Sequence, residues 1–315
     1  MLTAVIDEIH KLTDPGLAAK IIYDQMPGYK LVITGSSAFN IKNKASESLA
    51  GRKIEYHLHP LTFSEYLVQK EITGGFSNLF LDKFENEKFY PFDLRSILDN
   101  VLVYGLYPET ITRPSDSLYL TNLVDSVVFR DLLDLRLIEN RDGALNLLKL
   151  LAHQIGSLVN YSELSSRLGM DVKTVRRYIN LFEQSFIVFS LLPYSTRKRD
   201  EIGKSPKIYF YDLGLRNALI ENFQPVSNRV DGGHLFENFI ISEVLKTNYY
   251  CDFGYKLNYW RTKQGSEIDL VLSKNNGELR GIEIKSSSRV GGTAFINRYP
   301  QAKVITVTRE NFYQK

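Results

Sequence analysis

The chain opens with an apolar run that ends in two adjacent acids. Leu2 to Ile6 have the composition of a buried β-strand, and Asp7 and Glu8 follow directly. In an open α/β sheet, ligands are bound beyond the carboxyl ends of the strands. An acidic pair in this position therefore predicts a ligand site at one edge of a sheet, and the strand needs partner strands beside it.

A second strand of the same kind follows a predicted helix. Pro15 to Gln25 place apolar residues at helical spacing, and Tyr29 to Ile33 read as a strand that ends in Thr34-Gly35-Ser36-Ser37. Small hydroxyl side chains at a strand's carboxyl end are suited to orienting a water molecule. The predicted site thus combines two acids from one strand with hydroxyls from the next.

Composition describes a globular chain of two or three domains. The 315 residues are 43% hydrophobic and 24% charged, which excludes a disordered protein. The formal net charge is only +3, so nucleic-acid contact has to rest on local basic clusters. Cys251 is the single cysteine, which excludes an internal disulfide and fits a reducing compartment. The apolar run Phe186 to Leu192 is far shorter than the roughly 18 residues of a membrane span, and a signal peptide is not recognisable, so we expect a cytoplasmic chain without membrane contact.

Four segments, in order, resemble predicted prokaryotic AAA+ ATPases that carry an uncharacterised C-terminal domain. They are AVIDEIHK from Ala4, LVITGSS from Leu31, ESLAGR from Glu47 and HPLTFSEYL from His59. A strand ending in Asp-Glu is common, but the ordered series is fairly specific. The segment from Lys53 to Leu58, before the last motif, is strand-like.

The resemblance implies an ATP site that uses Mg²⁺. Asp7 would hold the metal as the Walker B acid, Glu8 would be the hydrolytic base, and Thr34 or Ser36 would be the sensor. Arg52 would act in a neighbouring subunit as an arginine finger, which implies a homo-oligomer; an arginine that caps a helix end is the alternative.

The glycine-rich phosphate loop of that family is not found in the sequence. Since this loop supplies most of the contacts to the nucleotide, we expect the chain to be N-terminally truncated and to bind ATP poorly by itself. Gly203-Lys204-Ser205 copies the end of such a loop, but Lys198 stands where the first glycine belongs and Pro206 follows, so a turn is expected.

The middle of the chain predicts a helical connector and then a winged helix. Residues 61–150 lack strand patterning, whereas Tyr161 to Gly169 and Asp171 to Ile179 read as two helices joined at a glycine. Strands from Phe186 and from Lys207 follow. Basic residues on the second helix and between the strands predict contacts to DNA phosphates, while protein docking is the alternative. These residues are Lys173, Arg176, Arg177, Arg197, Lys198 and Arg199.

The last ninety residues contain the pattern most typical of bond-breaking chemistry. Glu237 lies on a predicted helix, Asp269 lies on a strand, and a hairpin returns with Glu283 and Lys285 on one face because side chains alternate along a strand. Carboxylate oxygens suit Mg²⁺ or Mn²⁺, and a lysine can orient or activate a water. Asp269 and Glu283 are the predicted metal ligands.

This pattern resembles the PD-(D/E)XK nuclease superfamily, whose fold is a mixed sheet flanked by helices. The resemblance covers residues 231–306 and implies that Glu237, Asp269, Glu283 and Lys285 are catalytic. A satisfied ion cluster on an inactive nuclease fold is the alternative.

Together these features predict an α/β multidomain chain with four parts. They are a partial P-loop AAA+ sheet over residues 1–60, a helical connector over 61–150, a winged helix-turn-helix over 151–225 and a restriction-endonuclease-like α/β domain over 226–315. The expected function is that of an AAA+ ATPase fragment coupled to a module that works on DNA. A stand-alone Mg²⁺-dependent nuclease and a non-enzymatic DNA-binding or scaffold protein are the alternatives.

Overall fold

The computed structural model describes most of the chain in ten stretches. These are residues 2–9, 12, 14–26, 28–35, 52–71, 91–124, 126, 138–196, 205–285 and 292–312. The strands are β1 Leu2–Ile6, β2 Tyr29–Ile33, β3 Val188–Pro193, β4 Lys207–Phe210, β5 Lys256–Arg261, β6 Glu267–Ser273, β7 Leu279–Lys285 and β8 Lys303–Thr308.

The described helices lie, along the chain, mostly between strand β2 and strand β5. They are α1 Pro15–Gln25, α2 Phe63–Gln69, α3 Pro91–Tyr104, α4 Glu109–Thr112, α5 Ser117–Val124, α6 Arg141–His153, α7 Tyr161–Leu168, α8 Val172–Gln184, α9 Leu213–Leu219, α10 Gly232–Tyr250 and α11 Thr293–Arg298. Within the described residues, no helix combines the length and the apolar character that crossing a bilayer requires.

The N-terminal part is a small βαβ unit. Strands β1 and β2 are parallel, with Leu2 opposite Tyr29 and Ile6 opposite Ile33, and α1 connects them. The Asp14 carboxylate caps α1 by accepting from the backbone N–H of Leu17 at 2.9 Å. Both strands and the helix have the bounds that the sequence pattern predicts.

The strand expected from Lys53 to Leu58 is not formed, and that prediction is wrong. One backbone donor within the segment and one directly after it are used by tyrosines of α10. His57 N–H donates to the Tyr249 hydroxyl oxygen at 2.7 Å, and His59 N–H donates to that of Tyr250 at 2.9 Å. Because side-chain hydroxyls accept from these groups, they are not available to a strand partner.

A glycine turn joins two helices of the middle region as predicted. Helix α7 ends at Gly169, whose backbone is left-handed with φ of +62°, and α8 begins after Asp171, whose carboxylate accepts from Lys173 N–H at 2.9 Å. Helix α8 buries Val175 and Ile179 against the rest of the unit. The antiparallel hairpin of β3 and β4 follows.

This hairpin belongs to the same sheet as the C-terminal strands. The sheet has six strands in the order β4-β3-β5-β6-β7-β8. Strand β3 is parallel to β5, with Leu192 opposite Asn258, so the sheet crosses the predicted boundary at residue 225. As a result, side chains of β4 reach the C-terminal domain directly.

The turn after α3 is fixed by a buried aspartate. The carboxylate of Asp212 accepts two backbone hydrogen bonds. Its Oδ2 accepts from Leu106 N–H at 2.6 Å, and its Oδ1 accepts from Leu215 N–H at 2.9 Å. Gly105 has φ of +74°, and a Cβ atom there would lie 2.2 Å from Asp212 Oδ1. Nearby, the Asn217 amide donates to the carbonyl oxygens at the end of α3, at 2.9 and 2.8 Å. The turn and the helix end are therefore held by polar contacts from α9.

Helix α10 anchors the start of α2 through a buried ion pair. Lys246 and Glu243 form a salt bridge with side chains that are 1% and 0% exposed. The Lys246 ammonium donates to the Leu61 carbonyl oxygen at 2.8 Å, and Phe63 N–H donates to Glu243 Oε2 at 2.7 Å. The motif that begins at His59 is thus docked on the C-terminal domain.

We expect Lys246→Met to destabilise the chain by about 3 kcal/mol or more, because it leaves the Glu243 carboxylate buried without its counter-ion. Arg167→Met is the matched control. Its partner Glu163 lies one turn away on a helix at 2.9 Å, but the two side chains are 63% and 49% exposed, so the expected loss is below about 1 kcal/mol. Urea unfolding measures both free energies, and equal losses would contradict the structural role of the buried pair.

Candidate functional site

A cleft of about 890 Å³ lies where α10, β4, β6 and β7 meet. Its walls include Glu237, Asp269, Glu283 and Lys285, so the structure brings together the four residues that the C-terminal sequence pattern singles out. Strands β6 and β7 are antiparallel with Leu270 opposite Ile282. One position further along, this register places Asp269 beside Glu283.

Asp269 is held as a largely buried carboxyl group. Its Oδ2 accepts from the Ile284 backbone N–H at 2.7 Å. Burial raises the pKa of Asp269 to about 7, and the negative charge of Glu237 adds to this rise. The raised pKa reflects the burial of Asp269 first and the charge of Glu237 second, and a cation in the cleft would favour the ionised carboxylate.

Glu283 and Lys285 form an ion pair on the face of β7 that looks into the cleft. The Glu283 side chain is 9% exposed, whereas that of Lys285 is 36% exposed. Glu283 Oε2 is buried and accepts no hydrogen bond from the described residues. One carboxylate oxygen of Glu283 therefore pairs with the Lys285 ammonium, and the other has no hydrogen-bond donor among the described residues.

The sequence interpretation missed Lys207, the first residue of β4. Its ammonium lies 2.5 Å from Glu267 Oε1 and 3.3 Å from Glu237 Oε1, with only 6% of the side chain exposed. The Tyr209 hydroxyl donates to the same Glu237 oxygen at 2.7 Å. Burial alone would lower the pKa of Lys207, but Glu237 and Glu267 hold it above its usual value.

The signal for Lys207 was present in the sequence as a lysine that opens the apolar strand Lys207–Phe210. A lysine with so little exposure requires an anionic partner. That partner was not recognised because the strand was assigned to the winged helix, whereas Glu237 was assigned to the nuclease-like domain. The continuous sheet removes this separation.

The donor set fits a single hard cation with an incomplete protein shell. Among the described residues, no group of three or more His, Cys, Asp or Glu side chains is arranged to hold a metal ion. Asp269 and Glu283 nevertheless offer a carboxylate with a raised pKa and a buried oxygen without a donor. Mg²⁺ and Mn²⁺ accept such oxygens and commonly complete their shells with water or substrate.

Asp7, the first of the two N-terminal acids, lies beside the end of the second strand. The Thr34 hydroxyl donates to Asp7 Oδ1, and Thr34 N–H donates to the Ile6 carbonyl oxygen at 2.9 Å. Glu8 is half-buried and has φ of +52°, a conformation that non-glycine residues adopt rarely. The adjacent parallel strands thus place an acid and a hydroxyl together at their carboxyl ends.

The other predicted residues have separate surroundings. Arg52 lies 3.6 Å from Asp24 in the last turn of α1 and is exposed. Lys173, Arg176 and Arg177 are exposed on α8. The Arg176 guanidinium lies 3.9 Å from the ring centre of Tyr161, and Arg177 donates to Glu139 at 3.1 Å. Ser36, Arg197, Lys198 and Arg199 lie outside the described residues.

The raised pKa of Asp269 predicts how stability varies with pH. Between the ordinary value of 3.8 and about 7, the folded chain retains a proton on Asp269 that the unfolded chain has lost. The free energy of unfolding should therefore fall as the pH rises through this interval. Asp269→Asn cannot ionise but can still accept from Ile284 N–H, so its stability relative to the unsubstituted chain should rise from pH 4 to 7 and then stay constant.

Urea unfolding at pH 4.5, 6 and 8 in the presence of a chelator measures this difference. Glu163→Gln, at an exposed helix position, is the control and should show no such trend. A difference for Asp269→Asn that does not vary with pH would show that this carboxyl group titrates normally.

Three family models match successive parts of the chain. The model for an AAA domain matches residues 1–67, a domain of unknown function, DUF8612, matches 95–226, and a second domain of unknown function, DUF4143, matches 232–311. No solved structure was found to match the chain.

The curated relatives that match are uncharacterised proteins. One from Haemophilus influenzae is 26% identical over 254 residues, which are 78% of this chain and 56% of the relative. One from Methanocaldococcus jannaschii is 26% identical over 85% of this chain and 58% of its own length. One from Mycobacterium tuberculosis is 26% identical over 90% of this chain and 58% of its own length. The chain thus spans a little over half the length of these relatives. Together, the matches support an AAA-type, ATPase-like protein.

Proposed function

We propose that this chain is part of an AAA+-type ATPase that couples ATP hydrolysis to a DNA-directed, nuclease-like module. The observation that carries the proposal is the meeting of Glu237, Asp269, Glu283 and Lys285 in one cleft. The helix that carries Glu237 also holds residues 57–63, near the end of the AAA-like part. A nucleotide-driven movement of that part would therefore act on the element that forms one wall of the cleft.

The N-terminal acids support the ATPase half of the proposal. In this role Asp7 would hold Mg²⁺, with Thr34 beside it to orient water, and Glu8 would take the proton of the attacking water. The hydrogen bond from Thr34 to Asp7 supports the placement of acid and sensor in one pocket. Arg52 would serve a neighbouring subunit of a homo-oligomer, since within its own chain it contacts α1.

The ATPase role predicts turnover when the phosphate loop is supplied. A chain extended upstream with a segment that carries a glycine-rich phosphate loop should hydrolyse ATP, whereas the unextended chain should bind ATP weakly. Glu8→Gln should lower the turnover of the extended chain by about 10²- to 10⁴-fold, because it removes the general base. Glu55→Gln, an acid on the extended segment before α2, is the matched control and should keep full turnover. Phosphate release measures the rates, and undiminished turnover in Glu8→Gln would refute this assignment.

The cleft supports the nuclease-like half of the proposal. Asp269 and Glu283 would hold Mg²⁺ or Mn²⁺, which when bound would polarise a phosphodiester and lower the pKa of a water. Lys285, more exposed than its partner Glu283, can turn toward a phosphate oxygen or orient the attacking water. The Ile284 N–H keeps the Asp269 carboxyl group aimed into the cleft.

Exposed basic residues support DNA as the substrate. Lys173, Arg176 and Arg177 lie on the second helix of the helix-turn-helix, which we interpret as part of a winged helix. Arg176 is stacked on Tyr161, which limits its freedom while leaving it exposed. Arg197, Lys198 and Arg199 would add charge from the wing. Phosphate contacts of this kind weaken steeply as the salt concentration rises.

Cleavage assays test the nuclease half directly. Single-stranded and double-stranded DNA are incubated with the chain and Mg²⁺ or Mn²⁺, and cleavage should disappear in Lys285→Ala and in excess chelator. Lys256→Ala, at an exposed position on the same sheet, is the matched control and should cleave normally. Equal cleavage by the unsubstituted chain and Lys285→Ala would exclude this site. Salt-sensitive DNA binding without any cleavage would instead favour a non-enzymatic DNA-binding or scaffold protein.

A further inference from the structure

We propose that Lys207 is a built-in counter-cation that divides the acidic cleft, so that Asp269 and Glu283 alone remain open to a divalent cation. This inference rests on the proposed function, because it concerns the cation that the cleft would take. It assigns a positioning role to a residue from the β3–β4 hairpin. It also changes the role of Glu237, which becomes the fixed partner of Lys207.

The distances show that Lys207 belongs to one half of the cleft. Its ammonium bridges Glu237 Oε1 and Glu267 Oε1 at 3.3 and 2.5 Å. Arg261 Nε lies 3.7 Å from the second oxygen of Glu267, so that carboxylate has a cation at each oxygen. Glu237 and Glu267 are therefore compensated by the protein itself.

Glu237 is also fixed in place by uncharged groups. The Tyr209 hydroxyl donates to Oε1 at 2.7 Å. The Gly156 backbone lies so close to the same oxygen that a Cβ atom at Gly156 would be 3.1 Å from Oε1. The other oxygen, Oε2, lies 3.9 Å from His234 Nδ1. A carboxylate held by a lysine, a tyrosine and a close backbone has little freedom to turn toward a metal ion.

Among the described residues, the other half of the cleft has fewer cations than carboxylates: Lys285 pairs with Glu283, whereas Lys207 acts on Asp269 only at a distance and forms no ion pair with it. The Lys285 ammonium that pairs with Glu283 is partly exposed to solvent, and Glu283 Oε2 is buried without a hydrogen-bond donor in the part of the chain that the structure describes. The described donor to Asp269 is a backbone N–H and not a cation. A cation that enters the cleft is therefore attracted to Asp269 and Glu283, while the Lys207 ammonium repels it from Glu237.

The cleft contains its own spectroscopic reporter. Trp260 is the single tryptophan of the sequence, lines the cleft and is 5% exposed. Mn²⁺ is paramagnetic and quenches a nearby tryptophan, so quenching assigns bound ions to this cleft. Electron paramagnetic resonance of free Mn²⁺ counts the ions bound per chain without reference to any catalytic activity.

Titration of the full chain with Mn²⁺ tests the division. We expect one ion that quenches Trp260 in the unsubstituted chain and two in Lys207→Met, because the substitution leaves the facing oxygens of Glu237 and Glu267 open to a second ion. Lys207→Arg keeps the positive charge and should bind one. Asp269→Asn should weaken the first site by about 10- to 100-fold, as changes around a metal centre commonly do. A single ion of unchanged affinity in Lys207→Met would overturn the inference.

A charge-balanced double variant provides a second, independent test of whether Glu237 is a ligand. Lys207→Met with Glu237→Gln removes one positive and one negative charge, so it preserves the net charge of the cleft, and Glu267 keeps Arg261 as its cation at 3.7 Å. If Glu237 is not a ligand, this variant should bind one Mn²⁺ with an affinity close to that of the unsubstituted chain. A loss as large as that of Asp269→Asn would show that Glu237 holds the ion and would overturn the inference, even if Lys207→Met by itself did not fold.

The same titration separates the inference from the proposed function. Absence of binding to the unsubstituted chain together with one ion in Lys207→Met would reject the cation site of Asp269 and Glu283 but support the role of Lys207. Absence of binding to both chains would reject both.

Discussion

The polar side chains along one helix connect the parts of this molecule. Helix α10 contributes Glu237 to the cleft, and the amide of Asn238 donates to and accepts from the backbone of Phe210 on β4, both at 2.8 Å. Two turns later Glu243 and Lys246 hold the segment before α2. Buried charges of this kind are costly unless they are fully paired, so the helix has to keep each of these neighbours in register. Loss of one contact would leave an unpaired group in the interior.

This arrangement gives the AAA-like part a physical connection to the cleft. Its last segment is held at His57 and His59 by two tyrosine hydroxyls and at Leu61 and Phe63 by the buried ion pair. Burial lowers the pKa of His59 to about 4, so this ring is neutral near pH 7 and packs as an aromatic against its neighbours. The four side chains that hold the segment, Tyr249, Tyr250, Glu243 and Lys246, all lie on the helix that carries Glu237. A displacement of the segment would therefore be transmitted to that helix.

Local patterns in the sequence predicted the elements well, and contacts between elements explain the failures. Strand β2 and helix α1 follow from apolar spacing, and the pair of helices around Gly169 follows from a glycine and an aspartate. The segment from Lys53 to Leu58 has the composition of a strand, but distant tyrosines accept from the backbone N–H of His57 within it and of His59 just after it. A propensity reflects the residue itself, whereas such competition for hydrogen bonds depends on the tertiary structure.

The same distinction applies to the cleft. Glu237, Asp269, Glu283 and Lys285 could be recognised because they lie within one domain at familiar spacings, whereas Lys207 comes from a hairpin that spacing assigns to another unit. The sheet that joins the two units changes the chemistry of the site, since it adds a positive charge to a cluster of four acids. With that charge bound to Glu237 and Glu267, the acids form two sets. One set is neutralised by the protein, and the other, Asp269 with Glu283, keeps the excess of negative charge that a cation would neutralise.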